Sequence, residues 1–311
     1  MSKNKELVLE TKDLEISFGG LQAVKDLNIK IYEKELVGLI GPNGAGKSTT
    51  VNMLCTLVKP NKGKIVINGM DPFKNSSEVR KKIGIVFQEQ ILDKNLTVYE
   101  NLYLHAKLYD VPKKIFLNRL QETLKLLDIE DKKNYYVKSL SGGTRRRVEI
   151  ARVMLHRPEI VFLDEPTVGL DAQTKNKIWD YLLKIRERFN TTIFLTTQYI
   201  NEADICDRIG IIDYGELIAL ETPETLKKEV SSDLIYIDTI DNKESFVILK
   251  QEFSDISINI KNNKIIINVL EADKFLPSLF KVLGDKIISL DLKKPTLEDV
   301  FLKLTGKSIK K

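Results

Sequence analysis

Four short, almost uninterrupted apolar runs limit what this chain can fold into: "LVGLIG" (Leu36 to Gly41), "IGIVF" (Ile83 to Phe87), "IVFLD" (Ile160 to Asp164) and "TIFLTT" (Thr192 to Thr197). Such runs fit strands covered on both faces, the pattern of a parallel sheet. Helical spacing lies between them: Leu117, Leu120, Leu124 and Leu127 share one face, as do Ile178, Leu182, Ile185 and Phe189. Alternation of the two periods indicates an α/β domain with a mostly parallel core sheet. The opening stretch, "LVLETKDLEISF" then "AVKDLNIKIY", alternates like exposed strands and predicts an antiparallel side sheet.

The pattern changes near residue 230. A helix is expected from Thr222, and from Ser231 onward the spacing predicts strand (234–239), helix (243–253), strand (256–260), turn at Asn262 and Asn263, strand (264–270), helix (272–283) and strand (287–292). A last short helix is expected from Pro295. The order βαββαβ is ferredoxin-like, and paired asparagines suit a tight turn of positive φ. With 311 residues the chain has room for two domains, placed here at 1–230 and 231–311, with a helical subdomain at about 90–157.

Composition narrows the partners. Hydrophobic residues make up 42% and charged residues 30%, and 49 basic against 44 acidic side chains leave a scattered net charge of +5, so no nucleic-acid partner is expected. Cys55 and Cys206 are far apart with no metal-type spacing and are expected to be packing residues. The N-terminus lacks the apolar core of a signal peptide, which points to the cytoplasm. No apolar stretch approaches the roughly 18 residues needed to span a bilayer, so work at a membrane would need a second, spanning chain.

"GPNGAGKST" follows the first apolar run and precedes the helical "TTVNMLCTL". This is a P-loop in its strand, loop, helix context. Gly41, Pro42, Asn43, Gly44, Ala45, Gly46 and Thr49 supply a loop whose N–H groups turn around phosphate oxygens at a helix N-terminus. Lys47 brings a point charge to the outer phosphates, and Ser48 a hydroxyl to magnesium. "IVFLDEPT" ends its strand in Asp164, placed for the metal. Glu165 is expected to point elsewhere by strand alternation and to address the attacking water. Ser141, Gly142 and Gly143 open a helix whose free N–H groups make an anion-binding end, though a capped helix with no ligand fits the residues equally well.

At "LSGGTRRRVEIAR" (Leu140 to Arg152) the sequence resembles the ATPase subunit of an ABC transporter. The resemblance covers about Leu7 to Lys228. It implies that Phe18 stacks on adenine, that Gln88 senses magnesium and water, and that Asp171 in "GLDA" belongs to the D-loop. It also implies that Ser141 to Gly143 bind the γ-phosphate held by a second copy, so that two ATP molecules lie between two chains. "ILDKNLTVYENLYLHAKLY", "TTQY" and "PTLEDVFLKLTGK" are similar to the daunorubicin-resistance, drug-exporter type, in which a separate permease spans the membrane and the ATPase is peripheral on its inner face. Drugs, lipids and glycans are the cargo classes this implies, with Glu89 to Tyr109 docking the permease.

Where the family usually has a histidine near the γ-phosphate, this chain has Gln198. A carboxamide can bond a phosphate oxygen and orient water, without titrating near neutral pH; Gln198 is expected to assist Glu165. The basic triplet Arg145 to Arg147 is expected to be a solvated, salt-bridged surface, and His105 and His156 to be helix-surface or packing residues. A soluble, non-transport ABC ATPase and an ATP-dependent binding module with very slow hydrolysis are the competing functions. The tail has no chemical motif; support of a dimer ranks first among its roles.

Overall fold

The computed structural model describes residues 6–230, 233–261 and 264–306. The chain divides into two compact units, Met1–Glu221 and Thr222–Lys311. The first opens with β1 (Leu7–Phe18), β2 (Leu21–Leu27), β3 (Lys30–Tyr32) and β4 (Leu36–Ile40), followed by α1 (Lys47–Leu54), β5 (Lys62–Ile67), α2 (Ser76–Lys82) and β6 (Ile83–Val86). Three helices come next: α3 (Val98–Leu108), α4 (Lys113–Leu126) and α5 (Gly142–Met154). β7 (Ile160–Asp164), α6 (Ala172–Phe189), β8 (Thr192–Thr197), β9 (Arg208–Asp213) and β10 (Glu216–Glu221) complete it.

The four apolar runs become β4, β6, β7 and β8, which lie parallel in the order β9-β4-β8-β7-β6. Every residue of β4, β7 and β8 is buried, as strands covered on both faces must be. The alternating opening forms antiparallel β1–β2 and β1–β3 pairs. These strands are continuous with the core, because β2 meets β10 beside β9. Each parallel strand ends at the same edge, so the residues after β4, β6, β7 and β8 converge there.

The helical subdomain closes on aromatics. Phe116 is fully buried and stands edge-on to Tyr99 and Tyr103 at 5.7 and 5.3 Å between centroids, joining α3 to α4. The buried stripe of α4 is Phe116, Leu120, Thr123 and Leu124, which leaves Leu117 exposed where the leucine spacing had placed it inside. Thr97 and Glu100 form a capping box that starts α3.

The second unit holds α7 (Pro223–Val230), β11 (Asp233–Thr239), α8 (Asn242–Glu252), β12 (Ser257–Lys261), β13 (Lys264–Val269), α9 (Ala272–Leu283), β14 (Ile287–Lys293) and α10 (Leu297–Thr305). Its antiparallel sheet runs β12-β13-β11-β14, the ferredoxin-like order. Ile235, Ile237, Ile258, Ile265 and Ile267 form its core with Leu249 and Leu279 from the helices. The Asn262 and Asn263 turn lies outside the described residues. Helix α7, expected with the first domain, groups with the second: it packs against α10, whose Leu297, Val300 and Phe301 are buried. The last helix starts at Leu297 and not at Pro295, because Thr296 accepts from the Asp299 N–H while the Asp299 carboxylate accepts from the Thr296 N–H.

Candidate active site

The loop after β4 is built for close backbone approach. A Cβ on Gly41 would sit 2.3 Å from the Ile212 carbonyl, and one on Gly46, whose φ is 104°, would sit 2.6 Å from the Ala23 carbonyl. Only glycine satisfies both positions. Lys47 then starts α1 and folds its ammonium back over the loop, donating to the Gly41 and Pro42 carbonyls at 2.9 and 3.1 Å.

Two carboxylates meet this loop. Asp164, last in β7, accepts from the Ser48 hydroxyl at 3.2 Å and from the Thr196 hydroxyl at 2.5 Å through one oxygen, Oδ1. Glu165 pairs with Lys47 at 3.3 Å, and both side chains are buried. The two carboxylates diverge, but not by strand alternation. Glu165 lies past the strand with φ at 47°, the left-handed region. Its N–H donates to the carbonyl and hydroxyl oxygens of Thr196, which hold it there.

Phe18, Asn43, Gly44, Gly46, Lys47, Ser48, Thr49, Gln88 and Glu165 line one open cleft of about 710 Å3. Gly41, Pro42 and Ala45 belong to the same loop, and Asp164 reaches the cleft through Ser48. Hydroxyl, carboxylate and carboxamide oxygens are the hard donors that magnesium takes, so Ser48, Asp164 and Gln88 fit that ion.

A model of the family described as ABC transporter matches residues 24–168. The linearmycin resistance ATP-binding protein of Bacillus subtilis (strain 168) is 33% identical over 97% of this chain and 100% of its own length. The daunorubicin/doxorubicin resistance ATP-binding protein of Streptomyces peucetius is 33% identical over 96% of this chain and 92% of its own. This chain belongs to the ABC transporter family. A solved ATP-binding cassette, a dimer in a post-hydrolysis state bound to ADP and Pi, is 32% identical over 69% of the chain and 98% of its own length, with a TM-score of 0.62. The chain is therefore an ABC-type ATPase.

Other parts of this cassette lie away from the cleft lining. Ser141 caps α5, accepting from the Thr144 N–H at 3.2 Å, and Asp171 caps α6, accepting from the Thr174 N–H and hydroxyl at 2.9 and 2.7 Å. Those hydrogen bonds hold the Asp171 carboxyl below its usual range. The two helix starts touch: a Cβ on Gly143 would lie 2.4 Å from Thr174 Cγ2, and one on Gly142 would lie 3.9 Å from Leu170. Gln198 follows β8, whose Thr197 pairs with Ile40 and whose Thr196 pairs with Asp164. It thus sits at the sheet edge between the P-loop strand and the carboxylate strand, half-buried and outside the cleft lining.

The basic triplet of the cassette is not a solvated surface. Arg146 is 4% exposed and donates to the Phe87 and Gln88 carbonyls at 2.6 and 3.0 Å and to Glu149 at 3.0 Å. Arg147 donates to the Leu127 and Asp128 carbonyls.

His105 and His156 do pack, and as a relay. The Ile83 carbonyl can only accept, so His156 Nε2 carries the proton at 2.9 Å, which makes its Nδ1 the acceptor for His105 Nε2 at 3.2 Å. His105 Nδ1 then accepts from Arg152 at 3.2 Å.

Sequence reasoning also missed Leu21, Lys25 and Tyr214 in the cleft. Tyr214 is exposed and precedes Gly215, whose N–H donates to the Ala45 carbonyl at 3.0 Å. An aromatic beside glycine in the turn of "IIDYGELIAL" was the available signal. Glu202, just past Gln198, was missed as well. It accepts from Thr167 and Trp179 and pairs with Lys175 at 2.9 Å, tying the turn after β8 to α6.

Proposed function

We propose that two copies of this chain close over two ATP molecules and drive export through a separate membrane permease. The observation that carries the reading is the convergence of Lys47, Ser48, Asp164 and Glu165 on one cleft. Lys47 places its ammonium where outer phosphates would sit, and the loop N–H groups surround them. Magnesium, held by Ser48, Asp164 and Gln88, would offset the phosphate charge. Glu165 orients and deprotonates the attacking water, and Gln198 contacts the phosphate or the water from the end of β8. Phe18 offers an exposed ring to the adenine.

The opposing half of each pocket comes from Ser141, Gly142 and Gly143 of the second copy, with Asp171 beside them. Amphipathic antibiotics are the favoured cargo, because the relatives above are named for resistance to such compounds. No described helix is long and apolar enough to cross a membrane, in keeping with a peripheral subunit on the cytoplasmic face. On the proposed docking segment, the exposed large apolar side chains are Ile91, Leu104 and Leu108. Tyr99 and Tyr103 are half-buried against Phe116, so they test folding as much as docking.

Steady-state hydrolysis of magnesium ATP by the purified protein, with Lys47→Ala as control, tests the reading. Turnover lost in the variant is expected. Absence of turnover in the unaltered protein, with nucleotide still bound, would favour a binding module.

A further inference from the structure

We propose that Arg146 and Glu149 are positioning residues that fix the backbone around Gln88, so that the helix starting at Ser141 and the Gln88 side chain move as one body. The inference rests on the reading of Gln88 as a nucleotide-facing residue. Arg146 and Glu149 lie one turn apart on the same face of α5, at 3.0 Å from each other. Their side chains are 5% and 1% exposed. A buried ion pair of this kind is a poor source of net stability, which makes its use of the remaining hydrogen bonds informative.

All of those bonds go to one loop. The two terminal nitrogens of Arg146 reach the consecutive carbonyls of Phe87 and Gln88, and the other oxygen of Glu149 accepts from the Ile91 N–H at 3.0 Å. Three backbone anchors within residues 87–91 leave the Gln88 side chain as the free end, exposed and lining the cleft. The fixed fork of a planar guanidinium sets one terminal nitrogen on each of these two carbonyls while Nη1 also meets Glu149. The strand below is gripped too: a Cβ on Gly84 would lie 2.1 Å from Val153, so α5 seats directly on β6.

Ser141 and Arg146 are five residues apart on one helix, roughly 7.5 Å along its axis. The end proposed to meet the partner's phosphate and the side chain gripping this chain's own cleft therefore belong to one rigid rod. Closure sensed at one nucleotide is passed to Gln88 at the other.

The test is a double-mutant cycle between Arg146→Met and Gln88→Ala, with hydrogen exchange across residues 87–91 of the nucleotide-free protein as a second readout. Arg146→Met is expected to speed exchange there and to lower kcat about tenfold, as loss of an outer partner of a ligating group does. ATP affinity should stay within about twofold, and in the Gln88→Ala background Arg146→Met should change kcat by less than about twofold. Multiplied effects, or unchanged exchange, would overturn the proposal. So would a slow Arg146→Met enzyme beside a fully active Gln88→Ala enzyme.

Because a lone buried carboxylate can unfold the protein, the paired replacement Arg146→Met with Glu149→Leu is the second variant. It removes both charges and all three anchors. Full turnover in that folded variant would also overturn the proposal. If the unaltered protein fails to hydrolyse ATP, the functional reading fails by itself, and the exchange measurement still decides the positioning role.

Discussion

Glu165 and Gln198 differ in what they can do chemically, and their variants should differ accordingly. Glu165 carries the only proton acceptor proposed for the water, so Glu165→Gln is expected to keep ATP binding, lose hydrolysis by about a hundredfold or more and accumulate as an ATP-bound dimer by light scattering. A monomer with ATP bound would contradict that role. Gln198 is proposed only to orient, so Gln198→Ala should slow turnover more than it weakens ATP binding, by about tenfold; unchanged turnover would remove it from the site. The histidine relay gives a pH effect. Burial, with Arg152 beside both rings, pushes His105 down to about 3 and His156 down to about 4. Both are neutral in the fold and less basic there than in the unfolded chain, so their contribution is complete above pH 6.5. It is lost as pH falls from 6.5 towards those values, by about 2 kcal/mol per histidine at pH 5. Thermal melts should show that slope, and replacing both with glutamine should flatten it; an unchanged slope would contradict the assignment.

At the scale of elements, what the sequence revealed and what it hid divide by physical cause. Apolar runs and helical spacing are local signals, so β4, β6, β7, β8, α5 and α6 were legible, as was the P-loop between β4 and α1. Arg146 was not legible: its neighbours Arg145 and Arg147 give it a surface context, and only the carbonyls of Phe87 and Gln88, some sixty residues earlier, make its burial tolerable. Glu165 misled for a related reason, since the strand ends one residue before it and its left-handed φ is held by Thr196, thirty-one residues away. Tyr214 needed the pairing of β9 with β10 to bring it to the cleft. The α5 start supplies a prediction of its own. Ser141→Ala removes the acceptor for the Thr144 N–H and should cost about 1 kcal/mol of stability, a shift of roughly 2–4 °C in Tm. ATP-driven dimerisation should fall much further than that loss explains. Loss of the cap energy alone, with dimerisation intact, would mean the helix start is merely capped.

For the whole molecule the central claim is that each nucleotide is shared between two chains. Cys55 and Cys206 are buried, and burial raises both thiols above their ordinary range, so neither competes in surface chemistry. Asn43 is exposed on the P-loop, and a side chain at Gly142 would meet only Leu170 at ordinary contact distance. The most direct measurement mixes one chain carrying Asn43→Cys with another carrying Gly142→Cys, both in the Glu165→Gln background, and scores disulfide formation with and without magnesium ATP. The account predicts a cross-linked heterodimer that forms only when ATP is present. Its absence under ATP, or the same yield of cross-link without ATP, would contradict it.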